Sequence, residues 1–253
     1  MNNPDSEVIR LNLIFDYPVR WSRFKVLRDL LQNFYDAVGH RQWRERFVWE
    51  WADERLTLKV AGVGFSYDWL LHLGASTKRE HPGEYAGYFG EGFKIAALCA
   101  LRDHDWRIEL ASRDWRLQAT TAGIVVDGCA LTSLAYRVWR GEPVRDETIL
   151  WIHPFCEGDR EILECVLPSF YYEENPLFGE KLWSSSKAAV FLRSGQPKPA
   201  GYPVTGECGE PGIIFAGYQA LGSLEPPLVV CAHHVRWNDR ERNTFFKMDV
   251  VRV

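Results

Sequence analysis

Apolar and polar positions alternate in "SEVIRLNLIF", Ser6 to Phe15, and a period of two predicts a strand. The period then changes. In "SRFKVLRDLLQNFYDAV" the residues Leu27, Leu30, Leu31, Phe34 and Val38 recur at helical spacing, and Ser22 stands where an N-cap belongs. "FVWEWADERLTLKVAG" predicts two strands about a short turn, "FSYDWLLHLG" a short helical stretch, and Ala75 to Ala86 a polar loop containing glycine. An apolar helix follows in "GFKIAALCALRDHD". "DWRIELASRDWRLQATTAG" predicts two strands around a turn, with Trp106, Ile108 and Leu110 on one face and Trp115, Leu117 and Ala119 on the matching face of the other. Strand-like runs return in "CALTSLAYRVW" and "ETILWIHP". Helices mixed with a largely antiparallel sheet predict an α+β fold, a two-layer α/β sandwich over residues 8–155.

Beyond Cys156 the texture changes. "EGDREILECVLPSF" reads as a helix, and Asn175 to Pro227 is rich in proline, glycine and serine, with strand-like islands "KAAVFLRSG" and "GIIFAGYQ". Residues 156–253 are therefore expected to form a smaller accessory or transducer-like unit. The chain contains no internal repeat and no low-complexity tract.

With 253 residues, 46% of them hydrophobic and 25% charged, the chain has the composition of a soluble globular protein with a well-buried core. A formal net charge of −4 gives no global basic field for nucleic acid or an anionic membrane, which leaves only a local basic groove open. Six cysteines without a C-x-x-C pair argue against a zinc ribbon or a disulfide framework and read as reduced thiols. "MNNPDSEVIRLNLIF" lacks the features of a secretory leader and no segment reaches transmembrane length, so a cytoplasmic location without membrane contact is expected. The eleven tryptophans are assigned to the core.

Two stretches carry candidate chemistry. "EYAGYFGEGFKIAAL" places Gly87, Gly90 and Gly92 within six positions and runs into a helix, whose first unpaired N–H groups and dipole favour an anion such as phosphate. The helix from Ser22 carries Asp29, Asn33 and Asp36 along one stripe; periodicity alone reads that stripe as a solvated polar face. "GQPKPAG" reads as a proline-bearing turn, with Gln196 and Lys198 as minority phosphate contacts. "WNDRERNTF" reads as a solvated charge run, with Arg240 and Arg242 beside Asn243, and His233 and His234 read as structural.

Taken together and in order, "LLQNFYDA", "LKVAGVGF", "LGASTK" and "GYFGEGFK" resemble the boxes of the GHKL, or Bergerat-fold, ATPases, closest in texture to MORC-like, MutL-like and heat-shock-chaperone-like domains. The resemblance covers about the first 155 residues. It implies ATP and Mg²⁺ as ligands, with Asn33 on the metal and Asp29 as the catalytic carboxylate that polarises the attacking water. Asp36 follows in the same box. Val60, Gly62 and Gly64 would line the base side. Ser76, Thr77 and Lys78 would belong to a lid, and Gly87, Gly90 and Gly92 would bring backbone N–H groups to the phosphates. Lys94 would be a phosphate ligand, although a surface lysine is the simpler reading of its helix position. Thr148, in "ETILWI", matches a strand threonine that holds the base through water.

Two residues depart from the pattern. Asp29 stands where the family usually has glutamate, and Val60 where it has the aspartate that accepts from the adenine amino group. The expected function is a slow, nucleotide-switched ATPase with weak binding and poor base discrimination, dimerising with ATP by family analogy and acting on a client the sequence does not name. The alternatives are a non-hydrolysing Bergerat-fold interaction module and, further behind, a histidine-kinase catalytic domain.

Overall fold

The computed structural model describes residues 6–72, 91–194 and 212–233. The chain opens with strand β1 (Ser6–Ile14) and helix α1 (Arg23–Val38). Ser22 caps α1 as its sequence position predicts, its hydroxyl accepting from the Lys25 N–H. A single helical turn, α2 (Trp43–Arg46), leads into strands β2 (Phe47–Ala52) and β3 (Arg55–Ala61). Asp53 and Glu54 both take left-handed backbone between them, the geometry of a tight hairpin. The stretch read as helical after Phe65 is a 3-10 turn, Tyr67–Leu70.

Helix α3 (Gly92–Asp103) precedes two strands much longer than the sequence pattern suggests, β4 (Arg107–Val126) and β5 (Cys129–His153). "DWRIELASRDWRLQATTAG" is one strand and not two around a turn. The charged Arg113–Asp114 pair is absorbed by a bulge in which Arg113 adopts φ 50°, so Trp115 rejoins the inward face that Ile108 and Leu110 began. "CALTSLAYRVW" and "ETILWIHP" are likewise one strand. Asp127 and Gly128, with φ of 50° and 80°, form the tight turn that joins β4 to β5.

β5 organises the first sheet. One edge pairs with β4 along its length; the other takes β1 over residues 133–139 and β3 over residues 147–152, with β2 outside β3, all antiparallel. The register stacks the core in rows: Trp51, Leu56, Ile152 and Ile108, then Trp49, Leu58, Leu150 and Leu110. The six residues these rows draw from β3, β4 and β5 are buried in one hydrophobic cluster, which also takes Leu27, Leu30 and Leu31 from α1 and Ile95 to Ala100 from α3. Helix α4 (Glu157–Val166) packs on α1, where Arg23 forms an ion pair with Asp159.

The second sheet orders β6 (Phe178–Ser184), β7 (Ala188–Arg193), β10 (Leu228–Ala232), β8 (Gly212–Ala216) and β9 (Gln219–Leu224), with β8 and β10 parallel and the other neighbours antiparallel. It has its own apolar cluster around Phe191, Phe215 and Val229. The chain is thus a mixed α+β protein with two sheets. Tyr35 on α1 donates to the Tyr171 carbonyl, and Tyr171 N–H donates to Tyr218 O at 2.9 Å, in the turn between β8 and β9. No described helix is long and apolar enough to cross a membrane, and the five described cysteines are free thiols.

Leu150 sits at the middle of the second row with no exposed surface. Leu150→Ala should lower unfolding free energy by about 2–5 kcal/mol, whereas Val144→Ala on the exposed part of β5 should change it by less than about 0.5 kcal/mol. Denaturant midpoints for the two variants check this; equal effects would remove the stacked rows from the core.

Candidate functional site

The next row across the sheet breaks the apolar series. Phe47, Val60, Thr148 and Ser112 lie side by side on β2, β3, β5 and β4, continuing the inward face. Two hydroxyls occupy positions where the preceding rows put leucine and isoleucine. Their partners make the substitution affordable. Thr148 Oγ1 donates to Val63 O at 2.9 Å, Ser112 Oγ lies 2.9 Å from Thr148 Oγ1, and the Phe65 N–H donates to Ser112 Oγ at 3.3 Å.

The turn after β3 is held from several sides. Gly62 N–H donates to Asp146 O at 2.7 Å with φ 66°, a left-handed conformation that suits glycine. Arg46 donates to Ala61 O, Arg113 Nη2 to Gly64 O at 3.0 Å, and Trp115 Nε1 to Phe65 O at 2.8 Å. A methyl group on Gly62 would lie 2.5 Å from Arg46 Nη2, and one on Gly64 would lie 2.9 Å from Arg113 Cγ. Both glycines therefore make room for arginine side chains that bind the turn's carbonyls. Neither arginine stands out in the sequence, because each is one cation in a polar stretch.

At the other end, the polar stripe of α1 is not a solvated face. Asp29 is 5% exposed and Asp36 is also buried; Asn33 between them is exposed. Arg28 forms an ion pair with Asp29, Nη2 to Oδ2 at 3.1 Å. The start of α3 reaches the same carboxylate: a methyl group on Gly92 would lie 3.1 Å from Asp29 Oδ1. Asn33 Nδ2 donates to Asp29 O at 2.9 Å, which commits the amide nitrogen and leaves Oδ1 for another partner. A carboxamide oxygen on an exposed turn suits a hard cation such as Mg²⁺, so Asn33 fits the role the resemblance implies. Asp36, a turn further on, adds its charge to the burial that raises the Tyr35 pKa well above its ordinary value.

Lys94 is not a surface lysine. It is 2% exposed on the first turn of α3, and burial lowers its pKa to about 8 against a smaller opposing effect from Glu91. An ammonium held there is mostly protonated at neutral pH and close to the helix N-terminus.

The structure thus gathers the sequence candidates into two groups. Asp29, Asn33, Gly92 and Lys94 sit on the α1 and α3 turns, and Val60, Gly62, Gly64 and Thr148 sit at the end of β3 and beside it on β5. α1 packs against both α3 and β3. Ser76, Thr77, Lys78, Gly87 and Gly90 lie outside the described residues, as do Gln196, Lys198, Arg240, Arg242 and Asn243. Ser112 and Arg28 join the site without having been singled out. Ser112 carried a signal, being the polar residue at the inward position after Ile108 and Leu110. Among the described residues no cluster of three or more His, Cys, Asp or Glu side chains could hold a metal. The sequence matches no known family model, and a search of characterised proteins finds no match.

The Lys94 environment has a consequence for stability. Its folded pKa lies below the ordinary 10.5, so between pH 8 and 10.5 the unfolded chain binds more protons and stability from this group rises with pH. Burying the ammonium costs most below pH 8 and nothing above pH 10.5. Relative to Lys94→Met, the parent should therefore gain stability as the pH rises from 7 toward 10. Denaturant unfolding of both proteins at pH 7 and 9.5 checks this, and a gap independent of pH would refute it.

Proposed function

We propose that the chain is a magnesium-dependent ATP-binding protein of the GHKL class, with residues 8–155 forming the two-layer Bergerat sandwich and the second sheet reading out the nucleotide state. The observation that carries this reading is the convergence of boxes far apart in sequence. Gly92, at the end of the glycine box, meets Asp29 on α1, and Val60 pairs with Thr148 across β3 and β5. A phosphate chain near the start of α3 would meet N–H groups, the helix dipole and the Lys94 ammonium. Asn33 Oδ1 would hold Mg²⁺, which when bound neutralises phosphate charge. Asp29 would orient water.

Hydrolysis is proposed to be slow. Asp29 is a methylene shorter than the usual glutamate, and a misplacement of about an ångström costs on the order of a hundredfold in rate. One observation favours the second reading, a module that binds nucleotide without hydrolysing it: the Asp29 carboxylate is already ion-paired with Arg28, which competes with water for the same oxygen.

Asn33→Ala should abolish the Mg²⁺-dependent part of ATP affinity, and Asp29→Asn should abolish phosphate release while leaving ATP binding in place. Calorimetric titration with and without Mg²⁺, beside a phosphate-release assay, tests both. Equal Mg²⁺ enhancement in Asn33→Ala and the parent would overturn the metal assignment. Absence of phosphate release in the parent, with ATP bound, would select the non-hydrolysing module.

A further inference from the structure

The hairpin of β4 and β5 outruns the sheet that carries it. β1 follows β5 from Ser133 to Trp139, and the Phe15 N–H, donating to Thr132 O at 2.8 Å, extends that side by one residue. Beyond it the two strands pair only with each other as far as the turn at Asp127 and Gly128. Among the described residues no strand pairs with the outer edge of β4. The N–H and C=O groups along such an edge form a template for another strand.

The two halves of that edge differ. Arg107 to Arg116 carries five charged residues and the bulge at Arg113, the devices that keep an edge from pairing. Leu117 to Val126 has neither: it contains no charge and no proline, and its register with β5 is unbroken. Its far end is apolar and open to solvent, with Val125 71% exposed, Val126 46% and Leu131 across the hairpin 37%. A two-stranded ribbon is marginal in water by itself, and exposed β-branched residues on an unguarded edge favour addition of a further strand.

The charges around the run select its occupant. No Lys or Arg stands between Arg116 and Arg137, so the ribbon offers nothing to a phosphate backbone or an anionic membrane. Insertion of its tip into lipid would bury the Asp127 carboxylate first. The uncharged run is bounded by Arg116 at one end and Asp127 at the other. A second copy laid antiparallel along the edge brings the Arg116 end of each strand to the Asp127 end of its neighbour, whereas a parallel copy would bring like charges together.

We propose that Leu117 to Val126 is a self-association edge, through which two copies of the chain pair antiparallel about a twofold axis near Thr121 and Ala122 and join their first sheets into one. Ten residues at a rise of about 3.4 Å make a seam of about 34 Å. With the side chains that flank it, the contact covers on the order of 1,000 Å² in total, the lower end for a specific interface, so the dimer is weak and its population rises with concentration. Unlike the dimer that the family resemblance implies, it needs no nucleotide, and it stands or falls separately from the nucleotide-binding reading.

Sedimentation velocity of the full chain tests the proposal, in the presence of reductant because Cys129 is an exposed thiol beside the seam. The sedimentation coefficient should climb from the monomer value toward the dimer value with protein concentration, equally with and without a non-hydrolysable ATP analogue and Mg²⁺. Thr121→Lys and Thr121→Glu each set like charges across the axis, so either variant alone should stay monomeric. Thr121 is exposed, and both variants should keep the parent's denaturant midpoint. An equimolar mixture of the two should recover the dimer, because opposite charges then face each other. A parent that stays monomeric at every concentration would overturn the proposal and leave the edge to a strand of another protein. A dimer that forms only with nucleotide, one that persists in both single variants, or a mixture that stays monomeric would overturn it as well.

Discussion

The pairing register of β5 is the constraint on which the rest of the structure depends. Its 25 residues lie along β4 on one side and hand the other side first to β1 and then to β3. Because side chains alternate faces, a slip of one residue would turn every inward row outward. Two rows of apolar residues fix the register by burial, and the third row inherits its alignment from them. Thr148, Ser112 and Val60 are neighbours because Leu150, Leu110 and Leu58 must be. The polar end of the candidate site is thus positioned by two apolar rows that contain none of the candidate residues.

That alignment also explains how the turn after β3 keeps its shape. Of the five successive carbonyl groups from Ala61 to Phe65, four are taken by side chains from elsewhere in the fold: Ala61 by Arg46, Val63 by Thr148, Gly64 by Arg113 and Phe65 by Trp115. Each such bond contributes about 0.5–1.5 kcal/mol net, but together they remove the freedom that two glycines would otherwise give the backbone. Flexibility in the sequence is thereby converted into a fixed surface. At the far side, Gly92 does the opposite: its lack of a side chain lets the start of α3 approach Asp29 directly. The glycines of the two boxes consequently serve different ends, close packing by arginine in one and close approach by a carboxylate in the other.

How far the sequence reveals this depends on the range of the interactions. α1 was legible because its period and its Ser22 cap are local. The length of β4 and β5 was not, since Arg113–Asp114 and the polar stretch from Arg140 to Glu147 interrupt the alternation that marks a strand, and only pairing to a long partner carries the sheet through them. β6 was invisible for a related reason: its residues are almost all exposed, so no apolar pattern announces it. Asp29, Asn33, Val60 and Thr148 are single positions that the family resemblance picks out as candidates. Their environments were not. Burial of Lys94, the Arg28 ion pair and the hydroxyl chain through Ser112 all require contacts between elements that periodicity does not predict. His40 and Tyr218, whose rings stack at 5.0 Å, belong to the same class of long-range feature.

The site rests on the claim that one ligand spans both groups of residues, from the first turn of α3 to the row of Val60 and Thr148. Two-dimensional NMR of backbone amides during titration with a non-hydrolysable ATP analogue and Mg²⁺ addresses this directly. Saturable shifts should appear together at Asn33, at Gly92 to Lys94, and at Val63, Gly64 and Thr148, with a single dissociation constant. Shifts confined to the second sheet, or to only one of the two groups, would contradict it.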